Sequence, residues 1–543
     1  MASTTAGVLS VDTTVGAPRQ RVALVAVGVV AAAQLLAIAI FDLLAGALPL
    51  NDDWVYAWSA RRLAEGHGLH LFPEQSVPAL PQVLLGTLGL LVHPGNISLR
   101  LETLVFAGLA AGLVVLLSRQ LGASEFWSLV AGAAFLAFPV FSSVTTSFMT
   151  EPVYLDLLLL GAAVAAHFFD TGRGGWLLPA IVLVSVLDRQ HALGLPAALT
   201  LVLVVSLRGR VGARNVALLA ACCFAALAAL LIPGLLHLST AKMTFRATTA
   251  FHPSATLALA TAAYTPGVVG LLALPFAGVL GRVALGGGSD RRVGMVVAAA
   301  VGWCAVAVAA TFVFPGNYLT VAGLGPVTVP GSKPPLLAAV LPALKVAGLG
   351  AFVAVIAALY RRRSRLSAAA AFLLVLAITQ AVPILTFAIY DRYFLPLLAL
   401  LLPFLARAAS STNLRRVDAA WATAALVLLS ALYVVGEQDY LSWQMARDRL
   451  AREVMAAAPA SSFWPGYEPY GVLRVVPRFE QGRDIGITGA NLPSSDGPAN
   501  PALVLVITER SDPRPGLGYS SLVPGRIVLE CRRGPCPTLP SQR

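Results

Sequence analysis

Charge is scarce in this chain. Only 12% of its 543 residues are Asp, Glu, Lys or Arg, against about 25% in ordinary soluble domains, and 57% are hydrophobic. That balance excludes a water-soluble globular fold for most of the length. Lysine is nearly absent, so arginine carries the basic charge. Cysteine is sparse, with five residues, and the two in the polar C-terminal part are too few for a zinc site by themselves. Cys222, Cys223 and Cys304 lie in apolar runs and read as small hydrophobes. Cys531 and Cys536 lie in the polar stretch "CRRGPC" and can pair if that part is outside the cytosol. A phosphate-binding loop is missing: the run Gly286–Gly288 follows no strand and sits in a linker. There is no repeat of fixed period and no soluble nucleotide-binding domain. A cleavable leader is not expected, because the first apolar run is too long for one. The formal net charge of +12 does not point to nucleic acid, since most arginines sit in short loops between apolar runs.

What the chain does have is apolar runs of about 20 residues, the mark of an all-α polytopic membrane protein. We expect about thirteen transmembrane helices, near 22–45, 97–117, 124–141, 152–169, 176–187, 191–207, 216–236, 262–280, 293–314, 338–359, 367–388, 393–408 and 417–435. Leu80–Val92 is apolar but too short to span, and prolines stand at its start; it reads as an interfacial or re-entrant segment. Trp176–Leu207 is split at Asp188-Arg189-Gln190, because three polar residues at mid-bilayer are expensive. With these two choices the arginine clusters fall on one side, as the positive-inside rule expects. The expected layout has a cytosolic tail 1–21, a transmembrane catalytic domain 22–435 with a first outer loop 46–96, and an extracytosolic domain 436–543. The last of these reads as a small α+β domain. A helix over 440–457 has Leu441, Met445, Leu450 and Val454 on one side, and strands are expected at 472–476, 502–507 and 526–530. The expected location is the plasma (inner) membrane.

Nearly all unusual polar residues then fall on the outer face. Asp52 and Asp53, in "LPLNDDWVYAWSARR", open a helix rich in aromatic residues. An N-cap with a favourable helix dipole explains one carboxylate well and the second poorly. Glu151 precedes Pro152, where a proline-started helix is the plain reading. Asp391-Arg392, in "IYDRYFLP", reads as an ion pair at a helix end or as part of a site. Lys242, Arg246 and His252 share one outer loop, and Lys333 lies in another. Carboxylates near the membrane surface can deprotonate an acceptor hydroxyl. Arginine or lysine nearby can hold a phosphate leaving group. With no nucleotide site, the activated substrate that fits is a lipid phosphate.

The acidic pair followed by a tyrosine, Asp52-Asp53-Trp54-Val55-Tyr56, resembles the GT-C superfamily of membrane glycosyltransferases, the group that includes protein O-mannosyltransferases and lipid A aminoarabinose transferases. The resemblance extends through "SLRLETLVFAG" at 98–108, "MTEPVYLDLLLLGAAVAAHFF" at 149–169 and "DRYFLPLLALLLPFLA" at 391–406. It implies a sugar donor carried on a polyprenyl phosphate and transferred on the outer face, with inversion, to a glycan, lipid or protein hydroxyl of the cell envelope. It further implies Asp52 as general base with Asp53 as partner. Tyr56, Glu151, Arg392, Lys242, Arg246 and His252 become substrate-binding candidates. Glu151 stands where many relatives carry aspartate, and is a candidate for a divalent cation. Two other readings stay open at this point: a transporter or flippase of a lipid-linked sugar, and a non-catalytic scaffold.

Overall fold

A computed structural model describes residues 50–206, 212–238, 255–286, 291–309, 318–320, 323–361, 366–382, 390–458, 463–481, 501–509, 511–514, 516–519, 523–532 and 536–539, with single positions 28, 30, 240, 243 and 384. Among these residues eight helices are long and apolar enough to cross a membrane, or nine if one bent pair is a single span. The protein is an α-helical, multi-pass membrane protein with a small sheet in its C-terminal region. The expected span over 22–45 lies almost wholly outside the described residues. Three other expected spans form shorter apolar helices: Gly175–Asp188, Gln190–Val205 and Ala368–Thr379. The count of thirteen therefore differs from the helices that pass by length. Polar residues end these helices early: Arg189 takes an extended conformation after Asp188, and Gln380 closes Ala368–Thr379.

Prolines start several helices, at Pro81, Pro139, Pro152, Pro179 and Pro396, where the missing N–H costs nothing. The pair Glu125–Ala137 and Pro139–Thr145 bends by 63°. The second member turns its hydroxyls inward. Ser143 and Thr146 donate to the two carboxylate oxygens of buried Glu437, at 2.8 and 2.9 Å. Helix Ala255–Ala273 packs closely on Leu341–Arg361, where a Cβ on Gly270 would lie 1.8 Å from the carbonyl oxygen of Gly348. Small residues at such crossings let backbones approach in lipid, where packing rather than water exclusion drives association. Leu80–Val92 is a 13-residue helix, too short to span, as its length predicts.

The last helix runs through the expected boundary: Arg416–Ala457 is one helix of 42 residues that continues past 435/436. Its first part is apolar. Its second part buries Leu441, Leu450 and Val454 against the sheet, while Met445, expected on that side, is 49% exposed. The sheet has the strand order Phe463–Trp464, Leu503–Glu509, Gly525–Cys531, Gly516–Tyr519, parallel at the first pairing and antiparallel at the others. The strands expected at 502–507 and 526–530 are present. The one expected at 472–476 is helical instead, a wide turn Gly471–Val475 continuing into Val476–Glu480. Its valines pack against Trp54, Trp58 and Phe72 of the first loop rather than pairing with a strand, so tertiary burial overrides their strand propensity. Cys531 and Cys536 are disulfide-bonded, with Cα atoms 5.6 Å apart.

Candidate active site

The site forms where several helix ends meet. Glu151 begins helix Glu151–Thr171, Asp188-Arg189 ends Leu178–Asp188, and Asp391–Phe394 leads into Leu395–Ser410. The first-loop helix Asp53–Ala64 and the short helix Tyr467–Tyr470 close over them.

The two adjacent aspartates have separate surroundings. Asp52 stands at the N-cap of Asp53–Ala64, yet its side chain makes no cap hydrogen bond. Its Oδ1 accepts from the Tyr467 hydroxyl at 3.0 Å, and its Oδ2 from Arg392 Nη2 at 3.3 Å. Asp53 turns away from these groups: its Oδ1 accepts the backbone N–H of Leu50 at 2.8 Å. Burial pushes the Asp53 carboxyl up to about 7, against the opposing pull of Arg100. Of the two aspartates expected as a catalytic pair, Asp52 faces Tyr467 and Arg392 while Asp53 is buried and ties down the preceding turn.

Glu151 is buried, and its Oε1 takes Arg189 Nη2 at 2.8 Å and lies 3.7 Å from Arg392 Nε. Arg189 also donates from Nε to Thr150 Oγ1 at 2.7 Å. Arg392 is held over the rings of Tyr390 and Tyr393, at 5.5 and 5.7 Å. Its Nη1 is buried without a hydrogen-bond partner among the described residues. The expected ion pair between Asp391 and the Arg392 side chain is not what forms. Asp391 accepts the backbone N–H groups of Tyr318, Leu319 and Arg392, at 2.6–3.0 Å, which leaves the guanidinium to Asp52 and Glu151. Glu151, Tyr154, Arg189, His191, Gln380 and Arg392 share one pocket.

Tyr56 is buried beside this cluster. Burial, and next the Asp52 charge, push its hydroxyl up to about 12, so it is protonated at neutral pH. Lys242, Arg246 and His252 lie outside the described residues. Lys333, expected as a solvated charge, is buried and paired with Asp439. Sequence reading missed three participants: Arg189, Tyr467 and Tyr318, whose hydroxyl accepts from Asn51 Nδ2 at 3.1 Å. Only Arg189 left a signal, as the middle of the polar break between two apolar runs.

The donor set does not fit a divalent cation at Glu151. Two guanidinium groups occupy the space around its carboxylate, and among the described residues no three His, Cys, Asp or Glu side chains gather. What the arrangement offers is one accessible carboxylate beside two arginines. The Asp52 side chain is 30% exposed and that of Glu151 is 2% exposed, so of these two carboxylates Asp52 is the one open to solvent.

No protein-family model matches the chain, and comparison with curated proteins finds no relative. Among solved structures, the chain is similar to ArnT from Cupriavidus metallidurans bound to undecaprenyl phosphate, at 14% identity and a TM-score of 0.43, over 94% of this chain and 98% of that one. It is similar as well to ArnT from Cupriavidus metallidurans in the apo state, at 14% identity and a TM-score of 0.41, over 91% and 97% of the two chains.

Proposed function

We propose that the protein is a membrane glycosyltransferase that moves a sugar from a polyprenyl-phosphate donor to a hydroxyl of a cell-envelope glycan, lipid or protein. The observation that carries this reading is the Asp52 carboxylate, accessible and 3.3 Å from the buried guanidinium of Arg392, with Arg189 joined through Glu151. The motif resemblance of residues 52–56, 149–169 and 391–406 supports it.

On this reading the donor phosphate binds Arg392 and Arg189, which present planar donor forks suited to phosphate oxygens. A phosphate at Arg392 competes with Asp52 for the same guanidinium and so frees Oδ2. Asp52 then takes the acceptor proton as the hydroxyl oxygen attacks the anomeric carbon. The bond from that carbon to the phosphate oxygen breaks with inversion, and polyprenyl phosphate leaves with the bonding pair. Glu151 holds the two arginines against each other's repulsion. The N-terminus lies in the cytosol and the C-terminal region outside, because that orientation keeps the arginine-rich loops inside.

The test is sugar transfer from a synthetic polyprenyl-phosphate donor in detergent, using wild type and Asp52→Asn. A positioned carboxylate typically contributes about 10²–10⁴-fold, and the amide is nearly isosteric but no base. Asp52→Asn should fold and bind donor with transfer reduced by about that factor. A folded Asp52→Asn that transfers at the wild-type rate would remove the assignment.

A further inference from the structure

The segment 463–481 comes from the C-terminal region, yet it is built into the first outer loop. Tyr467, Tyr470, Val472, Val475, Val476 and Phe479 form one apolar cluster with Trp54, Val55, Trp58 and Phe72. Trp58 Nε1 donates to Glu480 Oε1 at 3.1 Å. A Cβ on Gly471 would lie 2.4 Å from the Trp54 ring, so the segment is seated with no space to spare.

The other side of this segment is anchored by charge. Arg447, on the long helix, donates from Nη1 to Glu468 Oε2 at 2.8 Å and to Thr328 Oγ1 at 2.7 Å. Thr328 in turn donates to Glu468 Oε2 at 2.5 Å. The Arg447 and Glu468 side chains are 1% and 0% exposed. The chain reaches them through Gly466, whose φ of +95° and close approach to Arg447 and Thr328 suit only glycine. Breaking a buried ion pair is costly, so this anchor fixes the backbone of residue 468 firmly. The neighbouring Tyr467 is thereby aimed at Asp52 Oδ1, 3.0 Å away. Burial, and next the Asp52 charge, push the Tyr467 hydroxyl well above its usual range, so it donates.

We propose that Tyr467 is a positioning residue for the Asp52 carboxylate, and that the buried Arg447–Glu468–Thr328 anchor on the C-terminal region holds it in place. The proposal rests on the reading of Asp52 as general base and gives the C-terminal region a role in the same site. A donated hydrogen bond keeps a carboxylate ionised and in one rotamer. With Oδ1 held by Tyr467, Oδ2 is the atom that exchanges Arg392 for the acceptor proton.

Tyr467→Phe removes the hydroxyl and keeps the ring, which lies 5.9 Å from Trp54. The full-length protein is assayed in detergent with a synthetic polyprenyl-phosphate sugar. We expect kcat to fall about 10-fold with an unchanged KM for donor, since the lost bond is to the base and not to the phosphate. The charge-neutral pair Arg447→Met with Glu468→Gln should lower kcat in the same direction, with little further loss when Tyr467→Phe is added. A wild-type kcat in a folded Tyr467→Phe overturns the proposal. A second arm needs no activity: thermal midpoints of Tyr467→Phe, Asp52→Asn and the double variant. Groups in contact give non-additive shifts, so additive shifts overturn the proposal as well. Wild-type protein that transfers no sugar, with non-additive midpoints, would instead leave the contact standing and sink the glycosyltransferase reading.

Discussion

Asp52 and Arg392 lie 340 residues apart in the chain and meet at 3.3 Å. Each has a second partner that prevents collapse into a simple ion pair: Tyr467 on Asp52, and Glu151 on Arg392. The site thus holds two guanidinium groups and two carboxylates in alternation, with one carboxylate open to a substrate.

Arg392 is expected to carry donor binding. Arg392→Lys keeps the charge and loses the planar fork, so transfer should fall partially. Arg392→Ala should weaken donor use by about 10- to 100-fold, the worth of one hydrogen bond to a charged group. Donor titration of both variants, with folding checked by thermal midpoint, measures this. Normal transfer by both would place the phosphate elsewhere.

Asp53 makes stability depend on pH. Its carboxyl is raised from the usual range near 3.8 to about 7, so between those values the folded protein keeps a proton that the unfolded chain has released. Stability contributed by this group is therefore present in full below about 4, lost as pH rises toward 7, and flat above. Asp53→Asn removes the titration and keeps an oxygen for the Leu50 N–H. Its advantage over wild type should grow between pH 4 and 7, by on the order of 1–4 kcal/mol. Parallel midpoint curves for the two proteins would contradict the assignment.

The cysteines offer a count. Cys222, Cys223 and Cys304 are free thiols, and Cys531–Cys536 is bonded. Labelling of denatured protein should find three thiols without reductant and five with it. Five in both conditions would show that the pair is reduced in the membrane-isolated protein.

Orientation is testable separately. A reporter that works only after export, fused behind Arg543, should be active. Activity of a cytosol-restricted reporter at the same place would reverse the proposed orientation of the site.

The sequence by itself determined that this is a multi-pass helical membrane protein, because runs of apolar residues leave hydrocarbon as their only suitable solvent. It marked Asp52, Glu151 and Arg392 as unusual, since charge at a helix end near lipid has to be accounted for. It could not divide labour within Asp52-Asp53, because that depends on which way each side chain points. Nor could it find Tyr467, which looks like any aromatic residue until the long helix Arg416–Ala457 carries the C-terminal region back over the first loop. The valines of 472–476 read as a strand for the same reason: local propensity is weak, and the aromatic face that buries them is some 400 residues earlier. Tertiary structure alone decided which charges meet, because pairing across a fold depends on distances in space that spacing along the chain does not record.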